Sequence, residues 1–258
     1  MDPPTIEPGL KIRGLKVSYG CRSVLAGFDF DLRPKSCTAI VGYSGCGKST
    51  VLKSIVGLAH AEAGEGWLNG EQFLVAGSIA VHPWSLRRSL TLVTQQSGLQ
   101  PYMTVLDNII LAITAVMGLT RNEAVHRSEE IASRLGLQDK LSSYPDQLSG
   151  GELQRAHLAK ALVLEPKIFL LDEITSNVDP RTSESIGRAL QYLHDSRGTS
   201  IVFISHDFAT VKNLADRIIF LHEGKNFEEV TGQTFPEGFK TPEGIAFAAK
   251  TNTRVDYE

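Results

Sequence analysis

The sequence is short of cysteine, of aromatics and of long apolar runs, and each shortage removes a class of answer. Cys21, Cys37 and Cys46 are its only cysteines. An odd count, with none at C-x-x-C or metal-ligand spacing, argues against a disulfide framework and fits a reducing compartment. The longest apolar run, Ile109 to Met117, is about half of the roughly 20 residues that a membrane-spanning helix needs. The opening stretch MDPPTIEPGL has acids and prolines where a signal peptide carries a basic region and then an apolar one, so no export is expected. Positive charge is not in excess either: 26 basic against 29 acidic residues give a net charge of −3. That is not the basic surface of a nucleic-acid binder, and no nucleic-acid partner is expected. Internal repeats and low-complexity tracts are missing as well.

What is present is a change of period along 258 residues, a length that suits one large domain or two unequal lobes. Leu10 to Tyr19, Ser23 to Leu32 and Cys37 to Val41 read as strands, with turn formers between them, and suggest an antiparallel layer leading into a buried strand. Lys48 to Leu58 has helical apolar spacing at Val51, Leu52, Ile55 and Val56. From Tyr102 to Leu164 the pattern is helical, an insert. Ile168 to Leu171 and Ser200 to Ile204 are continuous apolar runs, as parallel strands covered on both faces require. Thr182 to Ser196 reads as the crossover helix between them, and Arg217 to His222 as a final strand. The last 30 or so residues show no clear periodicity.

Between strand and helix lies Gly42-Tyr43-Ser44-Gly45-Cys46-Gly47-Lys48-Ser49-Thr50, which matches G-x-x-x-x-G-K-[ST] at every fixed position. Glycines let backbone N–H groups converge on phosphate oxygens, the helix presents its positive end, Lys48 reaches the outer phosphates and Ser49 can ligate magnesium. GTPases, small-molecule kinases, helicases and transport ATPases all use such a loop. A second constellation, Asp172-Glu173, closes the strand at Ile168 to Leu171. Its first carboxylate suits magnesium, and its second suits the attacking water.

Leu148-Ser149-Gly150-Gly151-Glu152-Leu153-Gln154 stands between these two motifs. In this order the three motifs resemble the ATP-binding subunit of an ABC transporter, over about Leu10 to Lys225, with the narrower stretch Ser97 to Ile109 similar to polar amino acid importers. The resemblance implies an α/β fold: a P-loop NTPase core with a mostly parallel sheet, an N-terminal antiparallel β layer and an α-helical insert subdomain. The core is expected at 10–95 and 165–225, the helical subdomain at 96–164, and a tail of unknown role at 226–258.

It further implies ATP and Mg²⁺ as ligands. Tyr19 resembles the adenine-stacking aromatic, Gln95 the glutamine that senses magnesium and the outer phosphate, and His206 the histidine that contacts the γ-phosphate. Gln95 joins Ser49 and Asp172 around the metal. Ser149, Gly150 and Gly151, with Glu152 beside them, are expected on the ATP of a facing subunit, and Asp179 in the loop joining the two sites of a homodimer. Permease subunits, a solute-binding protein and the cytoplasmic face of a membrane complete the expectation. Lipid or lipoprotein export and a division-type complex share every catalytic motif and stay open; a soluble ABC ATPase is the further alternative, set against a single cassette and a mildly negative charge. Ile174 and Asn177-Val178 depart from the family pattern beside the dimer seam, and Gln100 replaces the aromatic common in the permease-contact loop.

Overall fold

The computed structural model describes residues 9–80, 89–94, 98–174 and 179–252. Strands β1 (Leu10–Tyr19) and β2 (Arg22–Leu32) form a tight antiparallel pair, and β4 (Ala63–Leu68), β5 (Glu71–Val75) and β6 (Ser78–Ile79) extend it into a five-stranded sheet ordered β2-β1-β4-β5-β6. Among the described residues a second sheet has six strands. It contains β3 (Cys37–Val41), β7 (Leu90–Val93), β8 (Ile168–Asp172), β9 (Ser200–Ile204), β10 (Arg217–His222) and β11 (Lys225–Thr231), ordered β11-β10-β3-β9-β8-β7. All its pairs are parallel except the β10–β11 edge. The expected α/β cassette with two kinds of sheet is therefore the observed one.

The apolar runs follow from where this second sheet sits. Ala39, Phe169, Leu171, Phe203 and Phe220 face one core, which the helices cover. Their neighbours Ile40, Leu170, Val202, Ile204 and Leu221 face the other, shared with the antiparallel sheet and α1 (Lys48–Ile55). With both faces dry, apolar residues dominate the interior of these strands.

The helical insert consists of α2 (Val105–Met117), α3 (Arg121–Arg134) and α4 (Gly150–Leu162). Each starts on a side-chain cap. Thr104 accepts from the N–H of Asp107, while Thr120 with Glu123 and Ser149 with Glu152 form capping boxes. Gly118, in the left-handed region at φ 67°, ends α2. The crossover helix α5 (Pro180–Arg197) joins β8 to β9, and α6 (Phe208–Leu214) follows β9.

Two expectations need correction. Arg217–His222 is not the last strand: β11 pairs with β10, and α7 (Pro242–Asn252) follows in the stretch without clear periodicity. Phe235, Phe239 and Phe247 from this stretch are buried in the helix-side core. The helix after the phosphate loop ends at Ile55 rather than Leu58, which is 69% exposed.

Candidate active site

The loop at 42–50 leaves β3 between its two parallel neighbours, β10 and β9. Gly42 and Gly47 adopt φ of 153° and 106°. A Cβ on Gly42 would lie 2.5 Å from the carbonyl oxygen of Leu221, and one on Gly47 would lie 3.0 Å from Val24 and Leu25. Only glycine meets both the dihedral and the space. The Lys48 side chain is folded into this loop, with Nζ donating to the carbonyls of Gly42 at 2.9 Å and Tyr43 at 3.0 Å. Lys48 is 5% exposed and makes no ion pair among the described residues. A buried ammonium held by neutral carbonyls favours an incoming anion.

Asp172 ends β8 and Glu173 follows it, and the two diverge at once. Oδ1 of Asp172 accepts from Oγ of Ser49 at 2.7 Å, across 123 residues of chain. Burial pushes the Asp172 carboxyl above its ordinary range, and the Ser49 hydroxyl with the charge of Lys53 pulls it part of the way back. Glu173 takes the left-handed conformation, φ 54°, a cost of about 1 kcal/mol or more for a non-glycine residue. Its N–H donates to the carbonyl of Ile204 at 3.2 Å, and its Oε1 accepts from Nε2 of His206 at 2.7 Å.

Tyr19, Ser44, Gly45, Gly47, Lys48, Ser49, Thr50, Glu173 and His206 line one open cleft of about 400 Å³. Arg22 and Val24 line it too, and sequence reading passed over both. Arg22 stands directly across the hairpin from Tyr19, and its Nη2 lies 3.9 Å from where a Gly45 Cβ would be. No motif marks it; only the register of two expected strands could have found it. Cys46 is half-buried, with its Sγ 2.9 Å from the Cβ position of Gly42, and burial raises its thiol above the ordinary range. Tyr43 turns its ring out of the cleft, into a cluster of aromatics. Gln95 and Ser176 to Val178 lie outside the described residues.

The donor set suits a magnesium ion. Magnesium binds through one or two protein oxygens and completes its shell with phosphate oxygens and water. Ser49 Oγ and a buried Asp172 carboxylate are a pair of that kind. No cluster of three or more His, Cys, Asp or Glu side chains that could hold a metal stands among the described residues.

Ser149, Gly150, Gly151 and Glu152 are not in the cleft lining. Ser149 caps α4, and its N–H and Oγ both donate to Oε2 of Glu152, at 2.8 and 2.9 Å. These bonds, the backbone one first, and Lys140 at 3.2 Å hold the Glu152 carboxyl down at about 2. A Cβ on Gly151 would meet Oγ1 of Thr182 at 2.8 Å and Oδ2 of Asp179 at 3.4 Å. Asp179 caps α5 by accepting from the N–H and Oγ1 of Thr182, and Nη1 of Arg155 donates to the same hydroxyl at 2.7 Å. The structure thus gathers two groups. One is the phosphate loop with Asp172, Glu173 and His206; the other is the signature stretch with Asp179. Ser149 and Gly150 face open surface.

One buried group in α4 has a stability consequence. His157 lies beside Gly98 and is 8% exposed, and its Nδ1 has no partner among the described residues. Burial, then the charge of Lys160, pushes the imidazole from 6.5 down to about 4. The unfolded chain therefore takes up this proton first, and folding stability falls between pH 6.5 and pH 4, by at most about 3 kcal/mol. His157→Leu should remove that slope, and urea unfolding at pH 7.5 and pH 5 checks it. An equal loss in variant and wild type would assign the acid sensitivity elsewhere.

The model of the ABC transporter family matches residues 25–176. A probable amino-acid ABC transporter ATP-binding protein of Sinorhizobium fredii is 35% identical over 224 residues, covering 84% of this chain and 87% of the relative. The arginine/ornithine transport ATP-binding protein of Pseudomonas aeruginosa is 33% identical over 83% of this chain and 87% of that protein. A methionine import ATP-binding protein of Brucella abortus is also 33% identical, but this chain spans only 61% of its length. Among solved structures, a dimeric ATP-binding cassette in a post-hydrolysis state, bound to ADP and Pi, superposes with a TM-score of 0.78 at 27% identity, covering 86% of this chain and 98% of that one. Motif order, cleft geometry and relatives agree: the chain belongs to the ABC transporter family and has the build of its ATP-binding cassette.

Proposed function

We propose that the chain binds ATP in the cleft beside the phosphate loop and hydrolyses it to drive an importer of a small polar solute such as an amino acid. The observation that carries this reading is the convergence of Lys48, the Ser49–Asp172 pair, Glu173 and His206 on one cleft. Phosphoryl transfer asks for positioning and charge compensation rather than covalent chemistry. In this reading Tyr19 stacks on adenine, and the loop amides with Lys48 hold the phosphates. Ser49 and Asp172, with Gln95, would hold Mg²⁺, which supplies Lewis-acid charge to the transferred phosphoryl group. Glu173 polarises the attacking water, and His206 braces the γ-phosphate while its hydrogen bond orients Glu173.

The open surface over Ser149 and Gly150 suits the ATP of a facing copy, with Asp179 at the seam, so that two copies sandwich two nucleotides. Dimeric cassettes among the solved structures support this arrangement. Hydrolysis then loosens an interface, a two-state change that a permease can follow. Tyr102, 73% exposed, sits on a loop tied to the buried Asn108 amide through Gln100, Met103 and Thr104, a rigid surface suited to permease docking. No described helix is long and apolar enough to cross a membrane. The permease would hold the chain at the cytoplasmic face and link it to a solute-binding protein.

Deleting the gene should abolish uptake of at least one radiolabelled polar amino acid, with rescue by the wild-type chain and not by Glu173→Gln. Unchanged uptake of every proteinogenic amino acid would remove the solute assignment. Arg22 supplies a smaller test: Arg22→Ala should raise the KM for ATP about fivefold with kcat little changed, and added salt should shrink the difference. Equal KM values at low salt would take Arg22 out of the nucleotide contacts.

A further inference from the structure

Tyr43 joins the phosphate loop to the C-terminal helix. Its carbonyl oxygen accepts from Nζ of Lys48 at 3.0 Å and from the N–H of Cys46 at 3.3 Å, so both the lysine and the turn of the loop lean on this one peptide. Its ring stands edge-on to Phe247 of α7, centroids 5.4 Å apart and planes at 88°. Phe220 and His222 of β10 flank it at 6.3 and 6.5 Å. Nζ of Lys250, one turn further along α7, lies 5.5 Å from the ring centroid. Edge-on aromatic pairs and a cation over a ring face are directional contacts, sensitive to small shifts of either partner.

The helix that delivers these two side chains is itself fixed. Glu228 of β11 accepts from the N–H of Lys240 at 2.6 Å and of Thr241 at 3.2 Å, just before α7 begins. Phe247 is 6% exposed and also packs on Phe208 and Phe239. A path of packed groups thus runs from β11 through α7 to the second residue of the loop.

We infer that α7 is a positioning element for the nucleotide site: Phe247 and Lys250 grip the Tyr43 ring and thereby set the Tyr43 carbonyl, Lys48 and the loop for the phosphates of ATP. This rests on the reading of the loop as the ATP site. Phe247 and Lys250 are positioning residues, since neither lines the cleft. A helix that merely covered the core would add stability without adjusting affinity.

Calorimetric titration of the full-length chain with ATP, alongside its thermal midpoint, separates these roles. Phe247→Ala and Tyr43→Ala should each weaken ATP about tenfold, and Lys250→Ala about twofold to threefold. The double variant Tyr43→Ala/Phe247→Ala should lose little more than either single one, because both cut the same path. Tyr43→Phe, which keeps the ring, and Phe247→Leu, which guards against misfolding, should recover most of the affinity. Phe73→Leu, buried in the antiparallel-sheet core away from α7, should lower the midpoint and leave ATP affinity alone. The inference is overturned if Phe247→Ala folds and binds ATP within about twofold of wild type or, should it not fold, if Lys250→Ala binds ATP as tightly as wild type. It is also overturned if Phe73→Leu loses affinity in the same proportion to its midpoint. A wild-type chain that binds no ATP would instead bring down the reading of the cleft, and this inference with it.

Discussion

Glu173→Gln is expected to slow steady-state ATP hydrolysis by about 10²–10⁴-fold, the range that a positioned general base supplies, while ATP still binds within about threefold of wild type. The geometry makes this a clean substitution. Glutamine has the same shape and keeps the oxygen that accepts from His206 at 2.7 Å. The backbone bond from residue 173 to Ile204 does not involve the side chain. What is lost is the carboxylate beside the place where the reading puts the attacking water. Hydrolysis by phosphate release, paired with nucleotide titration, checks it. A variant that hydrolyses within about tenfold of wild type would remove Glu173 from the chemistry.

Asp172→Asn should lose at least about 10²-fold in Mg²⁺-dependent hydrolysis, because a metal acting as Lewis acid supplies several kcal/mol to such a transfer. The same change should make the nucleotide-free chain more stable at neutral pH. Burial raises the Asp172 carboxyl above its ordinary 3.8, so the folded state ionises this group less readily than the unfolded one. The destabilisation is absent below that value, grows as pH rises through the folded pKa, and is in full force above it. Asparagine keeps an acceptor for the Ser49 hydroxyl and carries no charge to desolvate. Thermal unfolding of both proteins at pH 7, without nucleotide or metal, checks the sign. A lower midpoint for the variant would mean that Asp172 stabilises the fold rather than straining it for function.

The parts of the fold that were legible in the sequence are those in which one physical constraint acts on consecutive residues. Cys37 to Val41, Ile168 to Leu171 and Ser200 to Ile204 read as strands because both faces of their sheet are dry. The insert from Tyr102 to Leu164 read as helical because its apolar residues recur at helical spacing, as at Val105, Ile109 and Ile113, all of them buried. Residues 63–79 carried no such signal, because their three strands are short and partly exposed, with glycine at 64 and 66. The C-terminal stretch hid its structure differently. Phe227 packs on Phe220, Phe235 on Phe239 and Phe239 on Phe247, contacts between segments that come together only once β11 has turned back on β10.

The site divides in the same way. The loop at 42–50 is contiguous and declared itself, as did Asp172-Glu173. That Ser49 reaches Asp172, and Glu173 reaches His206, is a matter of sheet order: β3, β9 and β8 lie side by side and parallel, so their C-terminal ends share one edge. Arg22 and the grip of Phe247 on Tyr43 belong to no motif. Each depends on a hairpin register or a helix position that a list of residues does not contain.

In the proposed reading, one nucleotide site is completed by two copies of this chain. Light scattering coupled to size exclusion, on purified Glu173→Gln with and without ATP, tests it most directly. The proposed sandwich requires a mass that doubles only with ATP, and no doubling when Lys48→Ala is added to the same chain. A chain that binds ATP as tightly as wild type, yet keeps the mass of a single copy at every concentration, would contradict it.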